Sequence, residues 1–436
     1  MSFICNVYVI GLFENPTTFI RYNMNKTILA LTISALSLSA HAKNTHAVHD
    51  ENSLQSAITA ANQDSSISKI VFKKNAYIPL TAPVLYTGTQ ALTLIGNGAT
   101  INGENAGTFE LVVDNNGFEA AITEDGTLVF NTQSDLTIKN LTVKNSATRG
   151  IVVNIPEDAE GDDISITLQN INVTSSALFG LHIDDNTDAF DDGNTGSAIG
   201  IDLEIYGSNF VDNGTGALDF DGIRVDERGE GDISSWIVRT HIDANGGDGI
   251  ELDEAGNGSV FSTMNNVTLN NNGFYNKEDL DDGFDIDEAD DGNILVNLYK
   301  VEANNNLDEG LDFDEAGNGN INVTARRVVA EGNSDEAIKV DEEDAGDIAV
   351  NFAKITVHKS GDDGIQLTEL GEGSIGGVLN KVSVSDSKKY GIKAEQWVAE
   401  DEAEISESSG FLKAKNVILE GNSKGDAIET HNVSVK

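Results

Sequence analysis

Carboxylates dominate the chemistry available to this chain, and their spacing is regular. Between Asp248 and Glu369 one phrase returns as DGIELDEAGNGSV, DGFDIDEADDGNI, EGLDFDEAGNGNI, EAIKVDEEDAGDI and DGIQLTELGEGSI. Aligned on it, Asp184, Asp226, Asp253, Asp287, Asp314 and Asp341 form a column that ends in Thr368. Beside it run Asp185, Glu227, Glu254, Glu288, Glu315, Glu342 and Glu369. Stacked carboxylates must be solvated, protonated or bridged by cations, and calcium takes six to eight oxygens in flexible geometry. A third column carries mixed charge: His182, Arg224, Glu251, Asp285, Asp312, Lys339, Gln366 and Lys393. It reads either as salt bridges between neighbouring repeats or as the floor of a substrate cleft.

The elements that hold these columns follow from the period. Gly283, Gly310, Ala337, Gly364 and Gly391 recur every 27 residues, as do Gly222 and Gly249. A fixed period in this range signals stacked supersecondary units. Apolar residues alternate with polar ones, which is strand spacing. One inward column is Ile151, Leu181, Ile223, Ile250, Phe284, Leu311, Ile338, Ile365, Ile392 and Ile428; a second is Val153, Ile183, Val225, Leu252, Ile286, Phe313, Val340 and Leu367. Turn glycines follow at Gly231, Gly258, Gly292, Gly319, Gly346 and Gly373, then two further strands. Three strands and three turns per unit make one rung of a parallel β-helix. Ser146, Ser176, Asn245, Asn306, Asn333, Ser360 and Ser387 form a polar turn ladder with a structural role, since Asn tolerates left-handed backbone.

On these repeats, and on TLIGNGATINGENAG (Thr93 to Gly107) as a first rung, the chain resembles the right-handed parallel β-helix proteins of the pectate-lyase-like superfamily. The fold class is therefore all-β, a single-stranded right-handed solenoid with an N-terminal helical cap. The resemblance implies that calcium held by Asp226, Asp253 and Asp287 would bind a uronate carboxylate. Arg224 or Lys339 would then remove the adjacent proton, with His182 in the same pocket. The fold also hosts hydrolases, epimerases and adhesins, so it leaves activity open.

Residues 24 to 42 read as a secretory signal peptide: Lys26, an apolar run from Ile28 to Leu38, and Ala40-His41-Ala42 as the cleavage site. Met24 is the expected start, residues 1–42 the leader, 43–91 a cap with first strands, and 92–436 the solenoid. NSLQSAITAAN (Asn52 to Asn62) predicts the capping helix, with Leu54, Ala57, Ile58 and Ala61 on its inner face. The only cysteine is Cys5, so the exported part is expected to hold no disulfide.

Three spacings are long: 42 residues from Gly180 to Gly222, 34 from Gly249 to Gly283, and 36 from Gly391 to Ala427. Insertions in solenoids map to surface loops. The first, Asp184 to Gly196, begins like a calcium loop at Asp184, Asn186 and Asp188, yet Ala189 replaces the turn glycine and Thr195 the bidentate glutamate. A looser site would use Asp184, Asn186, Asp188 and Asp191. NTDAFD (Asn186 to Asp191) is similar to a polygalacturonase strand motif, but no His-Gly and no Arg-x-Lys accompanies it. A formal charge of −45 argues against nucleic acid and anionic membranes as partners. The leading expectation is an exported, non-enzymatic calcium-binding solenoid that engages a surface or polysaccharide. A calcium-dependent lyase acting on an acidic glycan is the alternative.

Overall fold

The computed structural model describes residues 45–113, 118–122, 126–186, 195–216, 220–273, 281–398 and 409–436. Within them the alternating sequence becomes parallel sheet wound as a β-helix. One sheet, here the site sheet, runs through twelve strands, among them Arg149–Asn154, Leu181–Asp184, Ile223–Glu227, Ile250–Gly256, Phe284–Asp290, Asp314–Gly317, Asp341–Asp344, Ile365–Gly371 and Ile392–Trp397. Its register joins the repeats residue for residue: Asp226 pairs with Asp253, Asp253 with Asp287, Asp287 with Asp314, and Asp314 with Asp341. The offset is 27 residues except across the 34-residue rung.

In several rungs the second and third strands form one continuous strand, as in Val260–Asn270 and Ile348–His358, while in others, such as Ile233–Val238 and His241–Asp243, they stay separate. A single left-handed residue makes the corner, among them Asn140, Asn170, Asn266, Lys300, Lys354 and Lys381. One αL residue turns the chain without breaking the ladder on either side. The expected turn between these strands is thus reduced to one position.

Both apolar columns face inward. Every member is fully buried except Ile428, which is half-buried in the last rung. The polar ladder is continuous through Asn213, Asn245, Asn272, Asn306 and Asn333, all buried. Asn245 Nδ2 donates to Asn272 Oδ1 at 3.0 Å, and Asn306 Nδ2 to Asn333 Oδ1 at 3.1 Å. The left-handed conformation belongs to the preceding residue, at Ala244, Asn271 and Asn305, not to the ladder asparagine itself.

The helix spans Glu51–Gln63 and starts on a capping box: Ser53 N–H donates to Asp50 Oδ1 at 2.9 Å, and Asp50 N–H to Ser53 Oγ at 3.1 Å. Leu54, Ala57, Ile58 and Ala61 are its buried face, packed beside Thr45–Val48 and Val84–Tyr86. One element was not anticipated. Phe109–Val113 pairs antiparallel with Phe118–Ile122 and leaves the solenoid path.

Candidate functional site

The site sheet alternates inward and outward residues, so each rung offers one outward side chain at the Glu251 position and one at the Asp253 position. The turn before each strand adds an acid the sequence columns omitted. Asp221, Asp248, Asp282, Glu309, Glu336 and Asp363 each precede the strand-opening residue Gly222, Gly249, Gly283, Gly310, Ala337 or Gly364. All six are buried. They are linked along the axis: Asp248 N–H donates to Asp221 Oδ1 at 2.8 Å, Glu309 N–H to Asp282 Oδ1 at 2.7 Å, and Asp282 N–H to Asp248 Oδ1.

This turn column and the outward column form an acidic trough. Carboxylate oxygens of Asp221, Asp248 and Glu251 lie within 4.8 Å of one another, and so do those of Asp282, Asp285 and Asp312. Asp335, Glu336 and Asp362, all from the turns before the strands, converge farther along without a member of the outward column. Asp312 Oδ1 is buried with no hydrogen-bond partner among the described residues. Burial first, and neighbouring acids in addition, push the carboxyls of Asp248, Glu251, Asp282, Asp285 and Asp312 well above their ordinary range. Carboxyls so placed take up either protons or a cation. An all-oxygen donor set suits a hard divalent ion such as calcium.

The column expected to hold metal runs beside this trough: the Asp287 carboxylate lies within 4.8 Å of those of Glu251 and Asp285, while the protein's own cations occupy much of the rest. Asp226 Oδ1 accepts from Arg224 Nε at 2.8 Å, and Asp253 accepts from Arg228 Nη1 at 2.7 Å and Arg224 Nη2 at 3.2 Å. Lys339 Nζ lies 2.7 Å from Asp312, 3.0 Å from Asp314 and 3.9 Å from Asp341. Asp287 sits between Asp253 and Asp314 and is pushed up to about 6 by burial and then by those two neighbours. Asp184 is buried and raised to about 8 by burial, then by Asp226; Asn186 N–H donates to its Oδ1 at 2.8 Å. Asp188 and Asp191 lie outside the described residues.

The three residues named for proton transfer are held in place. Arg224 bonds Asp226, Glu251 and Asp253, and its guanidinium is pushed higher still by these acids against the opposing effect of burial. Lys339 is likewise raised by Asp312, Asp314 and Asp341, which outweigh its burial. Cations gripped this way keep their protons. His182 is 1% exposed; its Nε2 is 2.8 Å from Asp226 Oδ2 and its Nδ1 is 2.7 Å from Arg149 Nη1. Burial lowers it to about 4, against the pull of Asp226, so the ring is neutral at ordinary pH. Arg149, itself 1% exposed, and Arg228 were missed by sequence reasoning, since neither belongs to a repeated column.

An apolar wall stands beside His182. Phe179 packs 4.6 Å from its ring and 4.8 Å from Phe220, with Leu178 and Phe109 of the antiparallel pair completing the group. Parts of all three insertions fall outside the described residues. No helix among the described residues is long and apolar enough to cross a membrane.

The glutamate column is a different environment from the one its neighbour suggested. Continuing the alternation Ile250, Leu252, Glu254 carries it inward, and Glu227, Glu254, Glu288, Glu315, Glu342 and Glu369 are at most 2% exposed. Each folds under the next turn: Glu254 Oε1 accepts Gly258 N–H at 3.0 Å and Glu369 Oε1 accepts Gly373 N–H at 2.9 Å. A Cβ on Gly258 would meet Glu254 Oε1 at 2.6 Å and overlap the Gly231 carbonyl, which is why the turn glycine recurs.

No family model matches the chain, and no curated protein matches it. Among solved structures it is similar to the A-module of mannuronan C-5 epimerase AlgE6 from Azotobacter vinelandii, at TM-score 0.51 and 12% identity over 90% of this chain and 97% of that one. The AlgE4 A-module of the same organism gives 0.45 and 14% over the same shares. The Streptococcus pneumoniae surface adhesin PfbA gives 0.27 and 12% over 88% of this chain and 96% of that one. At 12% identity the first of these likenesses carries the fold alone, a parallel β-helix.

Proposed function

We propose that this chain is an exported, non-enzymatic β-helix that binds calcium in the acidic trough and, through the calcium, engages an acidic polysaccharide or a surface that displays one. The carrying observation is the convergence of Asp221, Asp248 and Glu251, and again of Asp282, Asp285 and Asp312, on one face at rung spacing. A row of cations along that face would turn a polyanion into a binder of polyanions. Bound calcium would supply charge neutralisation and open coordination positions for glycan carboxylates. A repeated site of this kind favours binding, because catalysis calls for one distinctive constellation.

A second reading has its own support. His182, Asp226, Arg149 and Arg224 form such a constellation next to Phe179 and Phe220. Proton abstraction beside a uronate carboxylate, as in a lyase or a C-5 epimerase, is the chemistry it would serve. There the arginines would neutralise the carboxylate, and a base other than Arg224 or Lys339 would be required.

Residues 43–436 titrated with calcium by calorimetry should bind, and Asp248→Asn with Asp285→Asn should remove most of the heat. Pectate and alginate retention should follow calcium and vanish with chelator. Absence of calcium binding to the unaltered protein would refute the proposal. Unsaturated products, or a changed uronate composition after incubation, would establish the second reading instead.

A further inference from the structure

The buried glutamate column has a chemistry of its own, separate from the trough. Strand register stacks Glu227, Glu254, Glu288, Glu315, Glu342 and Glu369 directly over one another and ends the series at Gln396. Glu254 is stacked on Glu288, Glu288 on Glu315, and Glu315 on Glu342, in adjacent rungs of the sheet. An ionised carboxylate only accepts hydrogen bonds, so two carboxyls stacked on adjacent rungs can bond each other only with a proton on one member. Both carboxyl oxygens of Glu288 and of Glu342 are buried with no N–H or hydroxyl donor among the described residues. Two such groups would otherwise be desolvated anions without compensation, a costly state.

The surroundings offer no counter-charge. Among the described residues no lysine or arginine is ion-paired with Glu254, Glu288, Glu315, Glu342 or Glu369. The charged groups that bear on the column are acids: Asp185 at Glu227, Asp290 at Glu288, Asp344 and Asp347 at Glu342, and Asp347 at Glu369. Turn N–H groups of Gly229 and Gly231 donate to Glu227, Gly258 to Glu254 and Gly373 to Glu369. Gln396 is the informative member. It occupies the same buried position with a neutral amide, its Oε1 accepting Ile375 N–H at 2.9 Å, so the column tolerates an uncharged group of glutamate shape.

We infer that the interior glutamates form a proton-sharing ladder, a chain of carboxylic acids linked by their own protons, which locks successive turns together at neutral pH and releases them in alkali. The direction agrees with the individual groups. Burial first, with neighbouring carboxyls adding, raises Glu315 and Glu342 from the ordinary glutamate value to about 8. The native ladder therefore holds protons that the unfolded chain has lost. Its contribution is complete below the unfolded glutamate value of about 4.5 and declines as pH rises to about 8 and beyond.

The test uses residues 43–436 with saturating calcium, so that the trough is filled in every sample. Infrared spectra at about pH 7, far above the ordinary glutamate value, are recorded for the unaltered protein and for Glu315→Gln with Glu342→Gln. The difference should contain the carbonyl band of protonated carboxyls, and the fall in melting temperature from mildly acidic to alkaline pH should shrink in the variant. A difference showing only ionised carboxylate would overturn the inference, as would identical alkaline profiles. If the double variant does not fold, Glu369→Gln extends the neutral end at Gln396 by one rung; an unchanged alkaline profile there would also overturn it.

Discussion

Among the described residues, Lys339 is the single basic residue in the middle of the trough, and replacing it with methionine separates charge balance from packing. Its ammonium lies 2.7 Å from Asp312, 3.0 Å from Asp314 and 3.9 Å from both Glu309 and Asp341. A pair at ~3 Å is worth about 5 kcal/mol before desolvation at an effective dielectric of ~20. Removing one partner of a fully buried pair costs about 3–5 kcal/mol. Lys339 keeps 20% of its side chain exposed and Asp314 38%, so solvent screens part of this. The loss expected for Lys339→Met in chelator is therefore about 2–3 kcal/mol. The orphaned acids then form an additional divalent site, and millimolar calcium should restore most of the difference. Urea unfolding followed by circular dichroism, with chelator and with calcium, reads both effects. Equal midpoints in chelator would refute the charge-balance argument. A loss that calcium leaves untouched would refute the cation-binding character of the trough.

Two further outcomes test the fold and the His182 cluster. Gly258→Ala should destabilise at or beyond the top of the ordinary ~0.5–3 kcal/mol range, because the new Cβ strikes the Gly231 carbonyl and Glu254. Gly376→Ala, whose Cβ would meet nothing closer than 4.0 Å, should leave the melt unchanged, and similar losses at both sites would contradict the stacked turn geometry. His182, lowered to about 4 chiefly by burial, should stay neutral in NMR titrations down to about that pH. Its contribution to stability is present above the unfolded histidine value and is lost as pH falls towards 4; a resonance titrating near pH 6.5 would contradict its burial.

The repeat itself determined most of the architecture. Side chains alternate along a strand whatever surrounds it, so Ile250 and Leu252 had to face one way and Glu251 and Asp253 the other. A constant period fixed the register and hence every ladder. The same rule placed Glu254 inward, buried under the next turn, while its neighbour Asp253 faces the other way. The antiparallel pair of Phe109–Val113 and Phe118–Ile122 lay outside the repeat and was not foreseen from it.

Only the tertiary structure decided which acids meet. The trough joins Asp248 in a turn with Glu251 on its own strand and Asp221 one rung away, and such convergence depends on how the turn folds over the sheet edge. Likewise, Arg149, His182 and the pair Arg224 and Asp226 come from three separate rungs, and three-dimensional stacking makes them one buried ion-paired group. Sequence spacing records what repeats along the chain. Burial, which turns a stacked carboxyl into a held proton or a cation ligand, comes only from what packs above and below it.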